Sequence, residues 1–206
     1  MSPPSVKEKY EQVKLASLKD PHPSIELRRN RLTRLLRLLV DNQKDIAKAI
    51  SDDFGYRSLT ETQIIDVFPA IEEIKHTRRH FHKWMKVRKI SVSLNFKPAT
   101  ARVMPQPRGV VGVVVPWNYP VFLMFGPICN ALAAGNHVMV KPSEFTPAFS
   151  DLMVRLFAQH FEESEISVID GGVDVAQAFT ALPFDHLLFT GSTEAVSYTH
   201  LRAHET

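Results

Sequence analysis

Residues 109–141 read GVVGVVVPWNYPVFLMFGPICNALAAGNHVMVK, and this one stretch decides the fold class. No Asp, Glu, Lys or Arg occurs from Gly109 to Val140, a run longer than the ~20 apolar residues that cross a bilayer as a helix. Pro116, Asn118, Pro120, Pro127, Asn130 and Asn136 interrupt it. In hydrocarbon these residues would break the helix or strand polar groups without partners, so a single membrane span is rejected. The stretch resolves instead into an apolar strand over 109–115, a proline-bracketed turn, a helix over 121–134 and a second strand over 137–141. Gly135 supplies the helix stop.

The alternation continues downstream, with a helix over 147–161, a strand over 166–170, a helix over 173–181 and a strand over 186–190. Short apolar strands separated by helices predict an α/β chain with a Rossmann-like, doubly wound parallel sheet covered on both faces. Ligands of such sheets lie beyond the carboxyl ends of the strands. The segments to watch are therefore 115–119, 141–146, 170–173 and 190–194.

Upstream the rhythm is helical, and an N-terminal helical layer is expected before the sheet. Val6, Tyr10 and Val13, with Leu18 one step off, mark a helix ending near Asp20-Pro21. Ser24 is placed to cap a second helix with Leu32, Leu35, Leu36 and Leu39 on one face. Arg28, Arg31, Arg34 and Arg37 recur on another face, which reads as solvated. Residues 45–50 form a third, short helix closed by Asp52-Asp53-Phe54-Gly55. Ser58-Leu-Thr-Glu61 has capping-box spacing and opens a long helical stretch with Ile64, Phe68, Ile71, Ile74, Phe81 and Trp84 inward, kinked at Pro69. After Val87 the period changes to two. Val92, Leu94 and Phe96, then Ala101, Val103 and Pro105 beyond Pro98, predict an antiparallel ribbon or arm. The organisation that follows is helices over 1–90, a ribbon over 91–107, βαβ units over 108–194 and a separate tail over 195–206.

Composition narrows the class further. The 206 residues are 44% hydrophobic and 23% charged, ordinary globular usage that excludes a disordered chain, and Gly and Pro show no collagen-like period. The single cysteine, Cys129, cannot form an internal disulfide, and the opening MSPPSVKEKYEQ has no apolar signal segment. A cytoplasmic location is the resulting expectation. Residues 1–105 carry 21 Lys/Arg against 12 Asp/Glu, whereas 106–206 carry 4 against 10. A basic half raises nucleic acid or an anionic membrane as partners, but no stacking aromatics or docking motif accompany the arginines, so solvated helix faces are preferred. His76 and His80 sit four apart, yet Thr77 stands where a zinc protease would need its glutamate base, and no metal site is expected.

Neither GxGxxG nor GxxxxGK[ST] occurs. The strand ends carry other chemistry. The first ends in Val115-Pro-Trp-Asn-Tyr-Pro120, a rigid aromatic loop with one side-chain amide. The second ends in Lys141-Pro-Ser-Glu144, one cation and one carboxylate. The third ends in Asp170-Gly-Gly172, where a ligand can lie against bare backbone. The fourth ends in Phe189-Thr-Gly-Ser-Thr193, a glycine and hydroxyls at an expected helix start, where free N–H groups attract an anion. Together they suit a dinucleotide.

The ordered set PWNYP, ALAAGN, KPSE followed by TP, and FTGST resembles the aldehyde dehydrogenase superfamily, and RGVVGVVVPWNYPVF and LPFDHLLFTGST look most like its coniferyl-aldehyde branch. The resemblance runs from about Pro23 to Glu194. It implies a truncated aldehyde dehydrogenase fold, the N-terminal nicotinamide-dinucleotide part, with the 91–107 ribbon as oligomerisation arm. Full-length enzymes of this kind are expected to be homodimers or tetramers acting on a small-molecule aldehyde. By the same resemblance Asn118 stabilises the oxyanion of a thiohemiacetal. Val115, Pro116, Trp117, Ser143, Gly172 and Phe189 line the cofactor slot. Lys141 and Glu144 hold the adenosine ribose, and Gly191, Ser192 and Thr193 face the pyrophosphate. A carboxylate near the 2′ position favours NAD, with NADP possible.

The family's nucleophilic cysteine and general-base glutamate lie in motifs downstream of FTGST, Glu-Leu-Gly-Gly and Gly-Gln-x-Cys, and neither motif occurs here. Cys129, in an apolar helix, is expected to behave as a small hydrophobe. The chain is therefore expected to lack turnover on its own, as the cofactor-binding part of a dehydrogenase; a non-catalytic dinucleotide-binding module is the alternative. Residues 195–206 depart from the family pattern and suggest a truncated reading frame ending in an unrelated tail.

Overall fold

A computed structural model describes residues 5–191. Its first helix, α1 (Val6–Lys19), starts at a reciprocal capping box. The Glu8 N–H donates to Ser5 Oγ at 3.2 Å, and the Ser5 N–H donates to Glu8 Oε2 at 2.6 Å. In α2 (Ile25–Asp41) Ser24 Oγ accepts from the Leu27 N–H at 3.1 Å, the cap read from sequence. Helix α3 spans Gln43–Phe54, longer at both ends than expected, and stops at Gly55, whose φ of 78° is the left-handed conformation that glycine adopts without strain.

The next segment departs from its expected pattern. Ser58 accepts from the Glu61 N–H at 3.4 Å above α4 (Leu59–Thr62), the forward half of a capping box. A π-helical turn, Gln63–Val67, then leads into α5 (Phe68–Trp84), so Pro69 opens a helix rather than kinking one. The wider π turn shifts the helical phase. Ile71, Ile74 and Phe81 face inward as expected, whereas Ile64, Phe68 and Trp84 are exposed. Trp84 lies on the outer face with His76 and His80, whose rings stack at 4.3 Å.

The ribbon starts earlier than 91. Its strands are β1 (Arg88–Ile90) and β2 (Ala101–Val103), antiparallel with Arg88 opposite Val103. Leu94–Phe96 is a 3₁₀ turn at the far end and not the strand expected from alternation.

The sheet follows the sequence reading closely. Strands β3 (Val110–Val114), β4 (His137–Lys141), β5 (Ile166–Val168) and β6 (His186–Phe189) are all parallel, in the order β5-β4-β3-β6. Helices α6 (Pro120–Ala134) and α7 (Pro147–His160) cover one face, backed by α2, α3 and α5. Helices α1 and α8 (Val173–Thr180) cover the other. Alternate residues serve the two sides. Val111, Val113, Val138 and Val140 join the large core with the α2 leucines, while Val110 and Met139 meet Tyr10, Val13 and Phe179. Burial on both faces explains the unbroken apolar runs.

Three of the four α2 arginines depart from the solvated-face expectation, while Arg37 is exposed as expected. Arg28 is 5% exposed and Arg31 4%. The Arg28 guanidinium donates to the Ala134 carbonyl at 2.8 Å and the Ala133 carbonyl at 3.3 Å, so a cation closes the carboxyl end of α6. Arg31 and Arg34 converge on Glu165 at the entry to β5, with N–O distances of 2.7–2.9 Å. Arg28 and Arg34 thus serve the carboxyl ends of α6 and α7, Arg31 serves Glu165, and Arg37 alone faces water.

Candidate functional site

Strands β3, β4 and β5 are laid down in one direction and β6 on the other side of β3, so the winding reverses between β3 and β6. Ligands of open α/β sheets bind at such a reversal, outside the carboxyl ends. The four strand ends are in register. The Val115 N–H donates to the Lys141 carbonyl at 3.0 Å, Ile169 N–H to Val140 at 2.8 Å, and Thr190 N–H to Val114 at 3.2 Å. Segments chosen from sequence thus share one edge.

After β3, Val115 is buried and Pro116 half-buried, whereas Trp117 is 51% exposed with its ring centroid 6.0 Å from Phe54. Asn118 is exposed, and its Oδ1 accepts from the Tyr119 N–H at 3.0 Å. Helix α6 begins with Pro120, which has no N–H, and Tyr119 gives no side-chain cap. Asp66 of the π turn fills that role from outside: its carboxylate accepts from Phe122 N–H at 2.6 Å and Val121 N–H at 3.4 Å. Burial raises Asp66 to about 6, against the opposing pull of those two N–H groups and Arg57.

After β4, Lys141 is 1% exposed. Its Nζ donates to the Pro142 carbonyl at 2.5 Å and stands 3.9 Å from Glu144 Oε2. Burial lowers the Lys141 pKa, while Glu144, Asp170 and Asp174 pull it back up, which ties the second and third strand ends electrostatically. Ser143 Oγ accepts from the Phe145 N–H at 3.2 Å, and its carbonyl accepts from the Ser150 hydroxyl at 3.1 Å. Helix α7 is closed by Asp53, whose carboxylate accepts from Ala148 and Phe149 N–H at 2.8 and 2.9 Å.

After β5, Gly171 adopts φ 144°, a region L residues avoid. A Cβ on Gly172 would meet only Asp174 Oδ1, at 3.3 Å, so this backbone is open to a ligand. Gly172 begins α8 without a side-chain cap bond, in contrast to α6 and α7, whose first turns are taken by Asp66 and Asp53. After β6, half-buried Phe189 leads to Gly191, where a Cβ would lie 2.6 Å from Phe189 Cε1. Ser192 and Thr193 lie outside the described residues.

Three site features carried no sequence signal: the distant caps Asp53 and Asp66, and Arg57, which donates to the Asn118 carbonyl at 2.5 Å. Only tertiary folding pairs them with their helices. Cys129 is fully buried in α6, and burial pushes its thiol up to about 12, which removes it as a nucleophile. Among the described residues no group of three metal-ligating side chains occurs, and no helix is long and apolar enough to cross a membrane. Two cavities lie away from the strand ends. One of about 540 Å³ runs beside α6 past Phe122, Gly126 and Asn130 to His186, and one of about 450 Å³ lies between Gln43 and Phe68. Neither gathers the charged and bare-backbone groups of the carboxyl edge. Topology, not enclosed volume, marks the candidate site.

The aldehyde dehydrogenase family profile matches residues 6–206. The chain belongs to the aldehyde dehydrogenase family. The match takes in residues 195–206, which the motif reading set apart. A probable coniferyl aldehyde dehydrogenase of Caulobacter vibrioides is 48% identical over 195 residues, 93% of this chain and 40% of that protein. The coniferyl aldehyde dehydrogenase of a Pseudomonas species is 42% identical over 188 residues, 91% of this chain and 39% of that protein. A solved structure of the substrate-bound state of Staphylococcus aureus AldH superposes with a TM-score of 0.93 at 28% identity, covering 98% of this chain and 44% of that one. This dehydrogenase-family chain therefore spans about 40% of the length of the curated relatives it matches.

Proposed function

We propose that this chain is the cofactor-holding part of an NAD-dependent aldehyde dehydrogenase that oxidises an aldehyde to a carboxylic acid, in the coniferyl-aldehyde branch. The observation that carries the reading is the Lys141–Glu144 pair on the same sheet edge as the Gly171–Gly172 backbone and the Trp117–Asn118 loop. These residues fit a dinucleotide: a buried ammonium and a carboxylate for ribose hydroxyls, and bare glycine backbone for close approach. Held by these residues, NAD would supply the hydride acceptor for aldehyde oxidation. Val115, Pro116, Trp117, Ser143 and Phe189 wall the slot, and Gly191, Ser192 and Thr193 receive the pyrophosphate. Asn118, with Oδ1 already committed, offers its Nδ2 donors to a developing oxyanion, an effect typically worth about 3 kcal/mol of barrier. The exposed Ile90, Leu94, Phe96 and Met104 of the ribbon suit contact with a second copy.

Without the downstream cysteine and glutamate, the chain binds NAD and does not turn it over. Titration followed by nucleotide fluorescence should saturate, while an aldehyde added to the complex yields no NADH absorbance. Failure to bind NAD overturns the reading.

Glu144→Gln removes the charge that repels a 2′-phosphate. The ratio of NADP to NAD affinity should rise about tenfold, by weakening NAD and strengthening NADP together. Lys141→Met keeps the volume and apolar stem of a side chain that burial already disfavours as a cation. NAD affinity should fall about 10–100-fold, the value of one charge-assisted hydrogen bond, while the melting temperature holds or rises. A melting temperature that falls with affinity would recast Lys141 as structural.

A further inference from the structure

The loop that carries Asn118 is held by a residue outside every recognised motif. Arg57 lies in the connection between α3 and α4, and its side chain is only 7% exposed. Its guanidinium donates Nη1–H to the Asn118 carbonyl at 2.5 Å and lies 4.9 Å from the Tyr119 ring and 5.1 Å from the Phe54 ring. Phe54 in turn meets Trp117. One cation therefore touches Asn118 and Tyr119 directly and Trp117 through one ring. The Asn118–Tyr119 peptide is pinned from both sides, its carbonyl by Arg57 and its N–H by Asn118 Oδ1. A backbone N–H can only donate, so the amide orientation is set: Oδ1 faces the peptide and Nδ2 is left with its donors to spend.

We propose that Arg57 is a positioning residue for the Trp117–Asn118–Tyr119 loop, fixing the side-chain amide of Asn118 in its donor orientation. This rests on the reading of Asn118 as the oxyanion donor. The alternative, a guanidinium that merely fills space, would need no hydrogen bond to the Asn118 carbonyl. Arg57 Nε and Nη2 are buried with no hydrogen-bond partner among the described residues, and Glu61 is no nearer than 3.8 Å. What holds the group is the Asn118 carbonyl, two aromatic faces and the charge of nearby Asp66, an arrangement that favours a flat, weakly hydrated cation over an ammonium.

The test uses the purified 206-residue chain in a Trp84→Phe background, where Trp117 is the sole tryptophan. In Arg57→Ala, Trp117 anisotropy should drop, Tyr119 amide exchange should accelerate at least tenfold, and NAD affinity should fall several-fold. Arg57→Lys should not restore these signals, whereas methylguanidinium added to Arg57→Ala should. Unchanged Trp117 anisotropy and Tyr119 exchange in a folded Arg57→Ala chain would overturn the proposal, as would full rescue by lysine. A wild-type chain that fails to bind NAD defeats the cofactor reading alone, since the Trp117 and Tyr119 signals report the loop without any cofactor.

Discussion

Glu165→Ala is expected to destabilise the fold by about 3–5 kcal/mol, the usual consequence of removing one partner from a buried ion pair. The carboxylate receives Arg31 Nε at 2.9 Å, Arg34 Nη1 at 2.7 Å and Arg34 Nη2 at 2.9 Å, and Arg31 has almost no access to water. Arg34 also lies 4.5 Å from the Phe161 ring, so α2 is fastened to the end of α7 and the start of β5. Without the carboxylate the Arg31 guanidinium stays buried and unmatched, while half-buried Arg34 keeps the His160 carbonyl and Asn30 Oδ1 as acceptors. Glu165→Gln keeps an acceptor oxygen and should lose less. The wild-type chain makes the same point through pH. Burial pushes Glu165 upward, but hydrogen bonds and charge from Arg34 and Arg31 outweigh it and hold the group at about 2, below the ordinary 4.5. A depressed carboxylate contributes stability that is complete above pH 4.5 and lost as pH falls toward 2, about 3 kcal/mol over that window. Urea midpoints measured from pH 7 to pH 2.5 should show this slope in the wild type and a shallower one in Glu165→Ala. Equal slopes would dismiss the pair as a stabilising element.

Gly135→Ala is the second large loss, about 3 kcal/mol from two sources that act together. The residue adopts φ 93°, where a side chain strains the backbone, and a Cβ built there falls 2.5 Å from Arg28 Cζ. Guanidinium and methyl cannot share the site, so the α6 carbonyls of Ala133 and Ala134 lose their cation as well. Thermal melting of Gly135→Ala beside Gly55→Ala separates the two sources. Gly55 is also left-handed, at 78°, but no atom lies within 4 Å of its Cβ position. A loss at Gly135 no greater than that at Gly55 would show that Arg28 simply moves aside.

These two positions also show what could be read from the chain beforehand. His137–Lys141 appears as a strand with its expected limits, and Gly135 as a stop, because both depend on local rules: an apolar run for a strand covered twice, a residue without Cβ for a left-handed turn. The role of Arg28 was not legible. A cation every third residue looks the same whether it meets water or a buried carbonyl, and only the packing of α2 on α6 tells them apart. The π turn at Gln63–Val67 hid Ile64 and Phe68 in the same way, since a single added residue per turn rotates a face that periodicity assumes to be continuous. At the candidate site, Trp117, Asn118, Lys141, Ser143, Glu144 and Gly172 were legible through motif order, and the sheet sets them along one edge. Asp53, Asp66 and Arg57 were not, because each acts on a partner more than fifty positions away in sequence.

That distance has a consequence for how the molecule is put together. The starts of α6 and α7, the two helices that spring from the carboxyl edge of the sheet, are closed by carboxylates borrowed from α3 and the π turn. A polypeptide cut in the ribbon would leave its strand-rich piece with both helix starts untied, beside the candidate site. The early helices thus complete the later ones, and a cut in the ribbon should lower the melting temperature of the strand-rich piece.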